Sequence, residues 1–386
     1  MTNPTPPAPT PAGQPIRPTV LADLTDDLLW PRLLRAPSLA LRPTCIGIAL
    51  FTALAVWLLG SAVSLWSDTP NAVGVILAGI GSAGSELLQA VISLDTKWIT
   101  EWAAFYLIEA PGAFIREHWL GVLVLSVPIA AAWGIGGCAI SRAAARDTTM
   151  RLSTPWPRAL AFAVDRWWST VVSLLGPLVF VAGIALAIAI AGWAFFSLPV
   201  LDVIGALASP LMILGGLLGF SILVGYVLGS PMLIPAVACE GTDGIDGIQR
   251  ALAYVLGKPL RLITYLLILL VQGLIVFGIL ALIVLGGQSL IEAAATGLAG
   301  DRAAMIFGEG DAEGTAVAAR AIIDLFNGLL GLLVIAFGVS YYFAGSTVLY
   351  LLMRQLNDGQ SCEDLWVPGR IEGTSAIDAQ PANTQQ

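Results

Sequence analysis

The polar segment ACEGTDGIDGIQR, residues 238–250, holds the side chains best suited to chemistry. Glu240, Asp243 and Asp246 could present the carboxylate oxygens that hard cations prefer, and Arg250 could bind a lipid phosphate. The same residues also fit a structural role, in which Glu240 ends an apolar run and Asp243 caps the helix that carries Arg250. We favour the structural role, because capping requires only one residue in place, and we keep all four side chains as candidate contacts to lipid or to a partner.

Other groups that could support catalysis or metal binding are few. His118 is the only histidine, so carboxylates or a partner would have to supply the remaining ligands of a zinc site. The chain has no CxxC pair, GxSxG motif or Walker A loop, and no dinucleotide-binding glycine pattern in a strand–helix context. The apolar stretches also lack the ionisable side chains that proton-coupled transporters and intramembrane proteases place at depth. We therefore predict that the protein is not an enzyme and has no catalytic residue, metal or cofactor.

The composition is that of a membrane protein. Hydrophobic residues make up 57% of the 386 residues and charged residues 11%, against about 25% charged in an ordinary soluble domain. The net charge of −8 leaves no basic face to replace counterions, which argues against a nucleic-acid partner. We predict an all-α fold, a polytopic transmembrane helix bundle whose main partner is the lipid bilayer.

Six stretches without a charged residue are long enough to cross a bilayer, since a spanning helix needs about 20 apolar residues. The predicted spans are approximately 44–66, 119–140, 169–196, 209–238, 262–287 and 325–353. Residues 72–94 are also apolar, but they carry Glu86 and Gln89. Four apolar side chains of this segment share one helical face: Leu87, Leu88, Val91 and Ile92. That pattern favours an interfacial or re-entrant helix, with a seventh span as the alternative.

The basic residues predict the orientation of the chain. Of the 18 lysines and arginines, 14 fall on the side of the two termini in a six-span topology, and four fall on the other side. By the positive-inside rule, both termini then lie in the cytoplasm and the protein belongs to the inner, cytoplasmic membrane. Residues 1–27 and 368–386 have the composition of disordered tails, the first rich in proline, around a single transmembrane domain of residues 28–367.

Three similar segments precede the first, third and fifth spans. They are WPRLLRAPSLALRP at 30–43, WPRALAFAVDRWW at 156–168 and QRALAYVLGKPLR at 249–261. Each mixes arginine with apolar and aromatic residues, as an amphipathic helix at the membrane interface does. They predict three units, each an interfacial helix followed by a two-span hairpin, at 28–141, 155–239 and 247–353. Alternatively, any cytoplasmic approach to a span recruits arginine and tryptophan.

Glycines recur four residues apart in the fourth predicted span, as Gly215 with Gly219 and Gly225 with Gly229. Such small residues let helix backbones approach closely, either between two copies of the chain or within one bundle. We favour contacts within the bundle, because six packed helices need such faces internally. A homo-oligomer or another membrane protein is the alternative partner for these faces.

The end of the fourth span also carries a resemblance to other proteins. The segments EGTDG at 240–244 and RALAY at 250–254, with Lys258 and Pro259, resemble a set of uncharacterised bacterial polytopic membrane proteins. These are similar to the membrane domain attached to some glycerophosphoryl diester phosphodiesterases. The likeness covers mainly residues 155–353 and implies a helical bundle without assigned chemistry, since the phosphodiesterase catalytic domain has no counterpart here.

These features predict two functions of different kinds. The first is a non-catalytic membrane scaffold or lipid-interacting protein, which the interfacial helices and the spans poor in polar groups support. The alternative is a permease-like subunit of a transporter that a separate protein energises, because the spans hold no ionisable group for ion coupling.

Overall fold

The computed structural model describes residues 29–65, 72–93, 95–197, 201–307, 313–362 and 364–366. Every regular element within these ranges is a helix, so the predicted all-α bundle is confirmed. The two predicted tails, 1–27 and 368–386, lie outside the described residues.

The helices are numbered in chain order. They are α1 (Trp30–Arg35, a 3-10 helix), α2 (Ala36–Ala40), α3 (Pro43–Ser61), α4 (Ala72–Ile92), α5 (Thr96–Ala104), α6 (Ala110–Glu117), α7 (Trp119–Met150), α8 (Trp156–Asp165), α9 (Trp167–Phe196), α10 (Leu201–Glu240), α11 (Gly244–Gly257), α12 (Pro259–Ala299), α13 (Asp301–Phe307) and α14 (Thr315–Asp358). A 3-10 turn, Ala62–Leu65, extends α3, and a π-helical turn, Phe105–Glu109, joins α5 to α6.

Six of the described helices are long and apolar enough to cross a membrane, so the chain is a multi-pass membrane protein. The spans are Pro43–Leu65, Trp119–Met150, Trp167–Phe196, Leu201–Glu240, Pro259–Ala299 and Thr315–Asp358. Their number is as predicted, but the second is longer than expected, at 32 residues, and so are the last three, at 40, 41 and 44 residues. The fifth span was predicted to end before Glu292 and the sixth to begin after Asp324, because a charged residue limits the segment that can lie in the hydrocarbon core. Backbone hydrogen bonds nevertheless continue the helix beyond it.

Helix α4 corresponds to the ambiguous segment 72–94 and forms one helix of 21 residues, which is not among the six spans. It packs against α3 and α5. The indole Nε1 of Trp102 donates to the Ala83 carbonyl at 2.8 Å, and the Tyr106 hydroxyl donates to Glu86 at 2.8 Å. These two hydrogen bonds, one of them to Glu86, attach α5 and the π-helical turn to α4. The face predicted for this helix includes side chains that lie outside the described residues, those of Leu88, Val91 and Ile92.

Three spans, α7, α10 and α14, form an inner group in which each helix contacts the other two. They are the second spans of the three predicted units. Their buried residues concentrate in the half of each helix that leads to Met150, Glu240 or Asp358. The first spans lie around them, with α3 against α7 and α14, α9 against α7 and α10, and α12 against α14. The two spans of each predicted unit contact each other, α3 with α7, α9 with α10 and α12 with α14, and the second span of each unit lies in the inner group.

The short helices before each hairpin, here called the leading helices (α1–α2, α8 and α11), close the units into a ring. Helix α8 packs against α7, α11 against α10 and α2 against α14, so each leading helix contacts the inner span of another unit. The shared RALA sequence explains the likeness of α8 and α11. When the two helices are aligned on this sequence, equivalent positions are buried in both: Ala159 and Ala163 in α8 correspond to Ala251 and Val255 in α11. The repeat is therefore a shared packing face.

Three glycines of α7 let three different helices approach it closely. A β-carbon at each would overlap a neighbouring side chain: Thr170 of α9 at Gly134, Thr52 of α3 at Gly136 and Phe343 of α14 at Gly137. In a membrane, lipid is as apolar as the helices, so close van der Waals contact must replace the hydrophobic drive that holds soluble bundles together. These glycines provide that contact at the centre of the structure.

The glycine pairs of α10 are also covered within the chain. Gly215 and Gly219 face Ile188 and Ile184 of α9, and Gly225 and Gly229 face Leu252 and Val255 of α11. The favoured interpretation, contacts within one bundle, agrees with this placement.

Gly136→Ala is expected to lower the free energy of unfolding by about 1–3 kcal/mol, because overpacking shifts a close contact. Thr52 yields little, since its side chain is β-branched and its hydroxyl donates to the Ile48 carbonyl at 2.8 Å. The control is Gly183→Ala on α9, where the added carbon meets nothing within 4 Å; it should be neutral or stabilising by up to about 1 kcal/mol. Thermal unfolding in detergent measures both, and equal Tm values would contradict the close contact.

Candidate functional site at the basic end of the bundle

One end of the bundle gathers most of the basic side chains, and we call it the basic end. The N-termini of α3, α9 and α12 and the C-termini of α7, α10 and α14 meet there. Twelve of the sixteen described lysines and arginines belong to it: Arg32, Arg35, Arg42, Arg142, Arg146, Arg151, Arg158, Arg166, Arg250, Lys258, Arg261 and Arg354. The other four lie towards the opposite end: Lys97, Arg116, Arg302 and Arg320.

Glu240 and Arg354 form a buried ion pair between the ends of α10 and α14. Nη1 of Arg354 lies 2.6 Å from Oε1 of Glu240, and Arg354 is only 1% exposed. The Tyr350 hydroxyl donates to the same carboxylate oxygen at 3.2 Å. Because taking an ion out of water costs several kcal/mol, a charge at this depth requires such partners. The first candidate residue, Glu240, is thus a contact between two inner spans.

Arg354 also holds a strap, the segment 361–366 that follows α14 and is described except for residue 363. Its Nη2 donates to the backbone carbonyl of Ser361 at 3.0 Å and to the carbonyl of Asp364. A guanidinium has five N–H donors in a planar fork, so it can serve a carboxylate and two carbonyls at once. One side chain therefore joins α14, α10 and the strap.

Arg142 plays the corresponding role for α7. Its Nη1 donates to the Ala238 carbonyl of α10 at 2.9 Å, and its Nη2 donates to the Trp366 carbonyl of the strap at 2.6 Å. The guanidinium also lies over the ring of Phe162 on α8, 4.5 Å from the ring centroid, as in a cation–π contact. The backbone N–H of Trp366 returns to α10 by donating to the Cys239 carbonyl at 3.2 Å. The end of α10 is therefore held by α7, by α14 and by the strap.

The ring of Trp366 fills space that only a glycine leaves open. Gly241 has a φ of 61°, a left-handed conformation that costs other residues energy, and a β-carbon there would lie 2.5 Å from the indole. The Arg166 guanidinium lies 5.3 Å from the centroid of the same ring. The turn after α10 is thus shaped to receive the strap.

A second set of contacts fastens the junction of α11 and α12 to α14. The Tyr254 hydroxyl donates to the Asp358 carboxylate, and the Lys258 ammonium donates to the Leu356 carbonyl. Burial, together with the hydrogen bond to Asp358, raises the pKa of Tyr254 above its usual value, so the phenol stays protonated and remains a donor. Every unit is therefore tied to α14 or α10 by a polar contact at this end.

The remaining candidate residues lie on the more exposed side of α11. Asp243 occupies the position before the helix, as predicted, but its exposed side chain makes no capping hydrogen bond, so that part of the prediction is wrong. The helix start is fixed by packing instead, because a β-carbon at Gly244 would overlap the Ser169 carbonyl of α9. Asp246 and Arg250 form an ion pair one helical turn apart, at 3.1 Å.

The roles of Arg142, Arg354 and Trp366 were not predicted from the sequence, in which the two arginines served only to predict the orientation of the chain. A signal was present in the sequence. Each arginine stands alone in an otherwise small or apolar run, ISRAAA at 140–145 and LLMRQL at 351–356. A single arginine in such surroundings indicates a buried charge with a dedicated partner.

The chemistry of the basic end is that of helix-to-helix attachment. Across the described ranges, no three histidine, cysteine or acidic side chains gather in one place as a metal site requires. Comparisons of the chain with protein-family models, with curated proteins and with solved structures find no match. The function must therefore be inferred from the geometry of this chain.

Glu240→Gln is expected to lower the free energy of unfolding by about 3–5 kcal/mol, because it leaves the buried Arg354 charge without its counter-ion. The control, Asp246→Asn, breaks the more exposed pair with Arg250 and should cost only about 0.2–0.5 kcal/mol. Denaturant titration in detergent micelles measures the difference.

Adding Arg354→Met to Glu240→Gln should recover part of the loss, since removing both members of a buried ion pair is often close to neutral. Recovery would be incomplete because the strap also loses its donor. If Glu240→Gln costs no more than Asp246→Asn, the ion pair does not hold the inner spans together.

Proposed function

We propose that the chain is a non-catalytic, lipid-interacting protein of the cytoplasmic membrane, with its basic end and both termini on the cytoplasmic side. The observation that carries this proposal is a band of exposed residues at the basic end, in which large apolar side chains neighbour exposed arginines. The charge asymmetry between the two ends of the bundle supports the orientation, because basic residues favour the cytoplasmic side.

Each of the three units contributes the same pairing to this band. The pairs are Leu34 with Arg35 on α1, Trp156 with Arg158 on α8, and Leu260 with Arg261 at the start of α12. The apolar members are 52%, 60% and 79% exposed. Side chains of this kind enter the acyl boundary of a membrane while the neighbouring arginines reach the lipid phosphates.

The arginines of the band differ from those that hold the bundle together. Arg142 and Arg354 are buried and bonded to protein groups, whereas Arg35, Arg158 and Arg261 are exposed. A basic side chain near an anionic membrane surface contributes about 1 kcal/mol. Three acting together correspond to roughly a hundredfold preference for anionic over neutral lipid.

The permease-like alternative has less support. A path through the protein would have to cross the basic end, where the inner spans touch and their facing residues are buried. Ions crossing the membrane usually meet charged side chains at depth, and the apolar centres of these spans offer none for a coupled mechanism. A closed inner group suits a protein that holds lipids at its surface.

Replacing Arg35, Arg158 and Arg261 together by glutamine is expected to lower the preference for anionic lipid roughly a hundredfold, because their contributions add. Thermal stabilisation of the purified protein, titrated with phosphatidylglycerol or phosphatidylcholine in micelles, gives the apparent Kd for each lipid. The matched control replaces three exposed basic residues of the opposite end, Lys97, Arg116 and Arg302, and should keep the preference. Equal behaviour of the two triple variants, or no preference in the unmodified protein, would refute the proposal.

The proposed orientation is tested with added cysteines, since the four native thiols are buried. Ser64→Cys and Ser93→Cys, exposed positions on the two sides of α4, should both react with a membrane-impermeant maleimide in intact spheroplasts. Ser153→Cys, exposed at the basic end, should react only after the membrane is opened. If Ser93→Cys also needed an opened membrane while Ser64→Cys did not, α4 would be a seventh span and the proposed topology would be wrong.

A further inference from the structure

A large apolar cavity lies away from the basic end, beside α7. Its volume is about 1030 Å³, at the upper end of the roughly 300–1,000 Å³ found for small-molecule sites. Helix α7 forms one wall, residues of α9 and α10 close the deep part, and α4, α5, the π-helical turn and α6 cover it. None of the described residues that line it is acidic, a lysine or an arginine.

Helix α7 lines the cavity with a continuous stripe. His118, Val122, Leu125, Ile129 and Trp133 follow one another at intervals of three or four residues, so they share one face of the helix. At a rise of 1.5 Å per residue, this face is about 22 Å long. One leaflet is half of a hydrocarbon core of about 30 Å, so the stripe is longer than a leaflet is deep. A lipid chain lying along α7 fits within it.

The helices that cover the cavity contribute aromatic residues whose polar atoms are hydrogen-bonded elsewhere. Trp102 and Tyr106 line the cavity, but their polar atoms are bonded to α4, the indole to the Ala83 carbonyl and the hydroxyl to Glu86. These two residues therefore line the cavity with the apolar surfaces of their rings. The π-helical turn Phe105–Glu109 lies in the same cover, and such turns, which are rare, are frequently found at functional sites.

The deep end of the cavity is closed by Trp133, Leu174 and Tyr226. The ring of Trp133 packs against Phe343 of α14 at a centroid distance of 4.9 Å. Phe343 in turn lies on Gly137 of α7, where no β-carbon would fit. The end wall is thus part of the close contact between inner spans, and it sets a fixed limit to how far an occupant can reach.

Hydrocarbon is the chemistry that suits this space. Water would need two to four polar partners for each molecule, and these walls are mainly aliphatic and aromatic. An empty cavity would forfeit dispersion contacts along its whole lining. Beside a membrane span, the apolar groups at hand are the acyl chains of lipids.

We infer that this cavity binds one acyl chain of a membrane lipid, laid along α7 with its terminal carbon against Trp133, Leu174 and Tyr226. This site is separate from the headgroup contacts proposed for the basic end. It selects by the length and shape of the chain.

The test uses a phosphatidylcholine that carries a photoreactive diazirine at the end of one acyl chain, in vesicles with the full-length protein. After illumination and proteolysis, mass spectrometry should find the lipid attached to peptides that contain Trp133, Leu174 or Tyr226. Excess unlabelled lipid should compete at these positions. Because phosphatidylcholine is zwitterionic, the result is independent of the preference for anionic lipid, and either proposal can fail alone.

Ser126→Phe places a ring inside the cavity and should abolish labelling at the deep end. The matched control, Val124→Phe, puts the same ring on the outward face of α7, where Val124 is 54% exposed, and should leave labelling unchanged. Size-exclusion profiles and Tm values report whether each variant folds. If the unmodified protein is labelled only at outward residues such as Leu123 and Val179, the cavity does not hold a lipid chain, whatever the variants do.

Discussion

The burial of Arg142 and Arg354 constrains the whole basic end of the bundle. Both guanidinium groups are withdrawn from solvent, at 5% and 1% exposure, and an ion so placed costs several kcal/mol unless its hydrogen bonds are made. Their partners come from other parts of the chain: Glu240 and the Ala238 carbonyl on α10, and three carbonyls of the strap. The three units therefore cannot separate at this end without leaving a charge unpaired. The strap belongs to the folded core for the same reason, although it follows the last span.

The two halves of the bundle differ in packing: the inner spans are in close contact in one half, and the apolar cavity lies in the other. The inner spans touch where α7 carries Gly134, Gly136 and Gly137, and their buried residues lie between these glycines and the basic end. On the other side of Trp133, α7 lines an open space between the helices. The α4–α6 segment covers the space that opens there, which is the apolar cavity. One helix, α7, therefore carries both the close contacts of the inner group and one wall of the cavity.

The sequence alone was enough to predict the six spans, because a charge inside hydrocarbon is costly. The sequence did not predict the helix ends, because a charged residue such as Glu292 limits the apolar segment while the helix itself continues past it. The buried arginines were missed because a count of the basic residues beside the spans takes no account of the small and apolar side chains around Arg142 and Arg354. The cavity was missed for a related reason. In soluble proteins polarity separates inside from outside, but in a membrane the lipid-facing and protein-facing sides of α7 are both apolar.

The end wall of the cavity connects these two regions mechanically. Trp133 packs against Phe343, and Phe343 occupies the space left open at Gly137, so the end wall is built on the contact between α14 and α7. Arg354 is eleven residues further along α14, about 17 Å away at the helical rise, and is fixed there by Glu240 and the strap. A helix held firmly at one end yields little at a contact three turns away. The end wall thus belongs to the packed half of the bundle, whereas the cavity is covered by α4–α6, where fewer of the described residues are buried.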